Sequence, residues 1–196
     1  KQVLHRFHDA HGFERTMLLL SSSDLAIPNR ARRGLQLEDG LTPLTRDQMH
    51  ELLVFTAQER HASRELHLML QLGFFSGARI ETITDLKRRT LANAVADPAT
   101  PGLVYLAVGP GHTPHVATKF DVQGRIMVPD WLYQTLLEYA TDTVRLKREA
   151  LAAPEHKELV FLTRFGRRYA DRESSSGTAI GRAMVDLRRK ATDAGM

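Results

Sequence analysis

Cysteine is absent from the sequence, which excludes disulfide staples and thiolate metal sites together and fits a reducing, cytoplasmic setting. Long hydrophobic runs are absent as well. No stretch approaches the roughly 20 apolar residues of a membrane span, and the N-terminus lacks the pattern of a signal peptide. Tryptophan occurs once, no segment repeats another, and no group of carboxylates has the spacing of a hard-cation site. What is present is ordinary for a globular chain. There are 196 residues with 42% hydrophobic content, enough for one sizeable core or for one domain plus part of another.

Positive charge is in mild excess, with a formal net charge of +4 and an isoelectric point near 9.6. Its arrangement carries more information than its size. Basic residues gather at Arg30, Arg32 and Arg33, at Lys87, Arg88 and Arg89, at Arg164, Arg167 and Arg168, and at Arg188, Arg189 and Lys190. Clusters at segment ends, rather than along one helix face, suggest several points of contact with a polyanion. From charge alone, solvated surface is the equal alternative.

The spacing predicts a helix within residues 1–20, where Val3, Leu4, Phe7 and Ala10 share a stripe. "SSSDLAIPNRARRGLQLEDG" follows, polar and broken by Pro28 and two glycines, and the linker is placed at 28–41. The chain thus divides into a helical region at 1–27, that linker, and a domain at 42–196. Thr45 caps a helix whose apolar face is Met49, Leu52, Leu53 and Thr56. Residues 64–75 are apolar on nearly every side, the mark of a central helix. Beyond Ala78 the period changes. "LVYLAV", "HVATKF" and "RIMVP" read as three strands of a small antiparallel sheet. One long helix is expected after Asp130, then the extended "ELVFL" and the polar loop "TRFGRRYADRE". A last helix is expected with Ile180, Met184, Leu187 and Ala191 on one face and N-caps at Ser174 to Ser176. The fold class is mainly α with a small three-stranded antiparallel sheet.

Two residues stand out as candidates for chemistry. Arg79 follows Gly77 at the exit of the buried helix, held by Ile80, Ile83 and Leu86. A guanidinium there is permanently charged and can fork onto two phosphate oxygens. A plain surface arginine at a helix start fits the same spacing. Lys119 ends the second expected strand, just before a hairpin turn at 121–124. Such a tip could carry an ammonium into a DNA groove; an edge-strand lysine that discourages aggregation is the alternative.

Gly77-x-Arg79 behind a buried helix, Leu86 seven residues on, and Lys119 before "GRIMVP" together resemble the tyrosine recombinase family of phage and genomic-island integrases. "LTRDQMHELL" is similar to the opening of that family's catalytic domain, and "VFLTRFGRRYA" to the segment before its later catalytic helices. The ordered match covers roughly residues 41–196. It implies the fold of a DNA breaking-rejoining catalytic domain, with residues 1–27 as the end of a core-binding region. It also implies site-specific DNA recombination and integration, in which a tyrosine attacks the scissile phosphate and forms a 3′-phosphotyrosine. Arg79 would be the first arginine of the phosphate clamp and Lys119 the hairpin lysine. The resemblance implies no metal or other cofactor, because fixed guanidinium charge stabilises the transition state.

The position three after the arginine, commonly acidic in the family, is Thr82, with Glu81 one place earlier. The family's His-x-x-Arg pair and tyrosine follow the last helix, and neither is found before Met196. A truncated catalytic domain, inactive alone, is therefore expected. His61 to Arg64 matches His-x-x-Arg but precedes Arg79, and is read as coincidence. Tyr169, the most exposed tyrosine by its surroundings, is read as a packing or phosphate-contact residue. The histidines at 5, 8 and 11 and at 112 and 115 lack a convincing ligand set. Expected DNA contacts are Arg30, Arg32, Arg33, Lys87, Arg88, Arg89, Arg125, Arg164, Arg167 and Arg168. The expected partner is a duplex attachment site in a bacterial host, with the protein monomeric when free, homotetrameric on DNA and not membrane-bound. A non-catalytic DNA-binding protein that keeps the fold is the rival reading. A helical scaffold with a merely solvated basic surface is a third.

Overall fold

The computed structural model describes residues 3–8, 10–19, 44–170 and 178–196. Contacts divide the chain into two compact units, Lys1–Leu44 and Thr45–Met196. The expected linker and the arginines at 30, 32 and 33 lie outside the described residues. In the first unit, Val3–His8 (β1) and Glu14–Leu19 (β2) pair antiparallel, from Val3 opposite Leu19 to His8 opposite Glu14. The helix expected within 1–20 is therefore a hairpin. Gly12, at φ +79°, takes the left-handed conformation that reverses the chain between two strands of equal length.

The second unit opens on α1 (Arg46–Thr56) with a capping box at Thr45. Its hydroxyl accepts from the Gln48 N–H at 3.2 Å, and the Gln48 side chain accepts from the Thr45 N–H at 2.9 Å. Helix α2 (Arg64–Ser76) is the centre of the unit, with Leu66, Leu68, Met69 and Leu72 buried. Each such side chain contributes about 1.5–3 kcal/mol of transfer free energy. Its last turn emerges, however, and Phe75 is exposed, edge-on to Trp131 at 5.1 Å between ring centroids. Two short helices follow, α3 (Ile80–Thr84) and α4 (Arg88–Ala92).

The domain is mainly helical with a three-stranded antiparallel sheet, as the sequence suggests, but the strands are not the expected three. Val95–Ala96 (β3), Leu103–Val108 (β4) and Gly124–Pro129 (β5) pair in the order β3-β4-β5. "HVATKF" is not among them. Val116 and Ala117 are buried one after the other, without the alternation a strand requires. Their backbone groups are also taken: the Gly109 N–H donates to the Val116 carbonyl at 2.9 Å, and the Ala117 N–H donates to Asp85 Oδ2 at 2.7 Å. In β4, Val104, Leu106 and Val108 face the core in clean alternation.

The long helix expected after Asp130 is two. Helix α5 (Asp130–Thr141) and α6 (Thr143–Leu151) meet at an extended Asp142. The Asp142 side chain accepts from the Val144 N–H at 2.7 Å and pairs with Arg64 at 2.8 Å, so it starts a new helix rather than continuing the old one. Leu132, Leu136 and Tyr139 are buried as expected, whereas Leu146 lies exposed beyond the break. The last helix, α7 (Ala179–Asp193), buries Ile180 and Leu187 and partly buries Met184 and Ala191. Its N-cap is Thr178, which accepts from the Gly181 N–H at 3.2 Å, in place of the serines at 174–176, which lie outside the described residues.

Between α6 and α7 runs an extended segment in which Leu159, Val160, Phe161 and Leu162 are all buried. One side is stitched to the α3–α4 junction, through Val160 N–H to the Leu86 carbonyl and Arg88 N–H to the Glu158 carbonyl, both at 2.8 Å. On the other, wholly buried Arg145 donates to the carbonyls of Lys157 at 2.8 Å, Leu159 at 2.7 Å and Val160 at 3.4 Å, while pairing with Glu149. Arg148 reaches the Leu162 carbonyl at 2.8 Å. Guanidinium groups thus do the work of a neighbouring strand.

Two outcomes are expected. Arg145→Ala strands three carbonyls and takes from Glu149 its buried partner, and should lower the free energy of unfolding in urea by about 3 kcal/mol or more. Arg145→Lys, lacking the planar fork, should recover only part of that loss. The second concerns His67, whose Nδ1 lies 2.9 Å from the Thr56 hydroxyl and whose pKa burial pushes below its ordinary value. Because the folded state resists protonation there, stability should hold above about pH 6.5 and fall as pH drops below it. Thermal melts of His67→Gln should be flatter in that window.

Candidate functional site

Arg79 is placed by the end of α2. Gly77 adopts the left-handed conformation at φ +66° and donates to the Gly73 carbonyl at 3.0 Å, which closes the helix and turns the chain. Arg79 is the N-cap of α3, with its carbonyl accepting from Ile83 N–H at 3.0 Å and its side chain exposed. Ile83 and Leu86 are buried and anchor the turn; Ile80, expected to help, is exposed.

Lys119 sits in the connection between β4 and β5, in a short 3-10 turn at Lys119–Asp121. The Thr118 hydroxyl donates to the Val122 carbonyl at 2.7 Å and closes the loop. The loop is tied to α3 by Asp85. One carboxylate oxygen of Asp85 accepts from Ala117 N–H at 2.7 Å and from Lys87 Nζ at 3.0 Å; the other accepts from Arg168 at 3.3 Å. Lys87 in turn donates to the His115 carbonyl. No spacing pattern marks this carboxylate, because its three partners come from three separate parts of the chain.

The outcome is a pocket of about 320 Å³ that both Arg79 and Lys119 line, with Gly77, Thr82 and Phe120. Residues 40 positions apart in sequence thus share one concavity. Thr82 is buried and occupies the position where the family commonly has an acid. None of the four tyrosines lines this pocket. Tyr133 donates to the Leu91 carbonyl at 3.1 Å, and Tyr105 is bonded to Asp97. Tyr139 donates to Glu65 at 3.1 Å, and burial together with that carboxylate pushes its phenol far above the ordinary range. Tyr169, expected to be exposed, is buried beside Glu65, Arg148 and Ser63, and its pKa is likewise raised, first by burial.

The other basic candidates fall into two groups. Lys87, Arg88 and Arg168 are drawn inward: Lys87 and Arg168 to Asp85, and Arg88 to Glu149 at 3.5 Å and Glu158 at 3.6 Å. Arg89 lies at 3.8 Å from Glu158 but is largely exposed. Arg125 is exposed on β5, over the Tyr105 ring. Arg164 and Arg167 are exposed and line a second, larger cavity of about 1040 Å³ with Arg148, Arg168 and Arg182. This cavity shares no residue with the first. His61 stacks on Phe55 at 3.8 Å and contacts its carbonyl, in the connection between α1 and α2, and lines neither cavity. No helix among the described residues is long and apolar enough to cross a membrane.

No protein-family model and no curated protein matches the chain. Among solved structures, it is similar to two complexes of the XerH site-specific recombinase. The post-cleavage complex with palindromic difH substrate gives a TM-score of 0.44 at 15% identity, over 65% of this chain and 31% of that one. The pre-cleavage complex with difH substrate gives 0.45 at 14% identity, over 78% and 44%. The chain therefore spans less than half of either, and at these values the similarity carries nothing about activity.

Asp85→Ala should leave Lys87, Arg168 and the Ala117 N–H without their acceptor and destabilise the domain by about 1–3 kcal/mol. Hydrogen exchange at the Ala117 amide should accelerate well beyond that of the core amides of α2. Unchanged exchange there would show that Asp85 does not hold the loop.

Proposed function

We propose that this chain is the DNA-gripping part of a tyrosine-type site-specific recombinase, with Arg79 and Lys119 as the pair that holds the scissile phosphate. The observation that carries the reading is their convergence on one pocket from two elements, one anchored in the core and the other tied to it through Asp85. The ordered sequence resemblance to integrases supports it, because it selects the same two residues. In the reaction this implies, the Arg79 guanidinium forks onto the two non-bridging oxygens as negative charge grows on them. Lys119 gives its proton to the departing 5′ oxygen as that P–O bond breaks, while a tyrosine gives up its phenolic proton to a base and its oxygen forms the new bond to phosphorus. Rejoining runs the same steps in reverse, so no external energy source is needed.

No tyrosine of this chain lines the pocket, so the chain alone binds DNA without cutting it. Arg89, Arg125, Arg164 and Arg167 extend the phosphate contacts, with Arg30, Arg32 and Arg33 of the expected linker contributing further ones. Lys87, Arg88 and Arg168 act chiefly inside the domain, through their carboxylate partners. The partner is a duplex attachment site of an integrating element, and two such sites are brought together by four protein copies. Thr82, at a position where the resemblance calls for an acid, favours one other reading, a DNA-binding regulator that has kept the fold and lost the chemistry.

On duplex DNA, affinity should fall steeply as salt rises, and Arg79→Ala or Lys119→Ala should each reduce the slope of log K against log salt by about 1. A nicked duplex should yield no covalent protein–DNA adduct on a denaturing gel. Salt-independent binding, or none, would remove the proposal. In a longer form carrying the tyrosine, Arg79→Ala should abolish cleavage while binding persists; a regulator would have no cleavage to lose.

A further inference from the structure

The turn that presents Lys119 places a large aromatic ring where a glycine or asparagine would be expected. Phe120 and the following Asp121 are both left-handed, at φ +61° and +53°, a conformation that disfavours a bulky side chain. Phe120 is nonetheless 85% exposed, so core packing does not explain the ring. Non-glycine residues held in this region cluster where strain serves a function. The position of the ring indicates which function. Phe120 borders two concavities, one shared with Arg79 and Thr82, the other with Glu81 and Thr118, and Lys119 lines both. The Lys119 ammonium lies 5.0 Å from the ring centroid.

A partner fitted to this surface must offer negative charge to Arg79 and Lys119 and a flat apolar face to the ring that shares their pocket. A nucleic acid strand, with phosphates outside and bases within, has that arrangement. A second copy of this chain, itself basic, has it less well. We propose that Phe120 is a base-stacking wedge: it enters the duplex beside the phosphate held by Arg79 and Lys119 and stacks on a nucleobase parted from its neighbour. The left-handed turn is what projects the ring away from the domain and toward the bases. The proposal rests on the DNA-binding reading above.

The test uses the 196-residue chain and a random-sequence duplex with 5-iodo-2′-deoxyuridine replacing thymidine in one strand. Near-ultraviolet light cross-links this base to aromatic side chains stacked on it, and mass spectrometry locates the attachment. The expected result is a cross-link at Phe120 that disappears in Phe120→Leu. Phe120→Ala should bind the duplex about fivefold or more weakly, with the salt slope unchanged, because a stacking contact releases no counterions. Circular dichroism of both variants should match the parent. Tight, salt-dependent binding with no cross-link at residue 120 and an undiminished Phe120→Ala would overturn the wedge while leaving the DNA reading intact. A change in sedimentation of the free chain on Phe120→Ala would also overturn it, since the ring would then be serving contact between copies. Failure of the parent chain to bind duplex would remove both proposals.

Discussion

Burying an extended segment leaves carbonyls that need donors, and in this domain two arginine side chains supply most of them. Arg145 and Arg148, on one face of α6, satisfy the carbonyls of the 157–162 segment that no strand reaches. A buried guanidinium is expensive unless it is paired, and both are paired, Arg145 with Glu149 and Arg148 with Glu65 at 2.8 Å. Glu65 in turn accepts from Tyr139 and faces Tyr169. The start of α2, the end of α5, the whole of α6 and the loop before α7 are thereby joined through one carboxylate. Remove it and four elements lose a common partner.

The opposite end of α2 carries the candidate site, and the same device recurs there in smaller form. Asp85 gathers an amide, an ammonium and a guanidinium, and so fixes the Lys119 loop relative to the turn that bears Arg79. In both places one acid collects donors from distant segments. Precision at the pocket therefore depends on groups that never reach it. This also explains why several arginines and lysines that look like surface charge are turned inward: their role is to hold segments together, while Arg79, Lys119, Arg89, Arg125, Arg164 and Arg167 keep their charge exposed.

What could be read in advance follows from this. The all-round apolar run of α2, the left-handed glycine after it, the Thr45 cap and the stripe of α7 are local patterns, and each is present in the structure. The shared Arg79–Lys119 pocket was legible only through a family resemblance, since no spacing rule connects the two residues. Three of the failures share a cause, a partner far away in the sequence. "HVATKF" has strand composition, but its amide is taken by a carboxylate 32 residues away. Asp142 breaks a helix that its neighbours would continue, because it answers to Arg64, 78 residues earlier. Tyr169 sits among polar residues in sequence and among Glu65, Arg148 and Ser63 in space. Residues 1–20 fit a helical stripe, yet the glycine near their middle favours reversal. The two-residue strand β3 is too short to leave any pattern.

Strand β5 passes into α5 without a connecting residue: Pro129 ends the strand and serves as the N-cap, and Asp130 N–H is held by the Gly102 carbonyl at 2.8 Å. Losing or gaining one residue here would turn the strand's inward face outward and rotate α5 by about 100°. The connection between β4 and β5, exposed over most of residues 110–115, is held at its crest by side chains, Asn93 donating to the Thr113 carbonyl at 3.2 Å and Gln123 meeting His112 at 3.2 Å, and not by a strand register. Chain-length variation should therefore be confined to that crest and excluded from the strand–helix joint. The crest is also where a reporter peptide could be spliced in with the register of the core preserved.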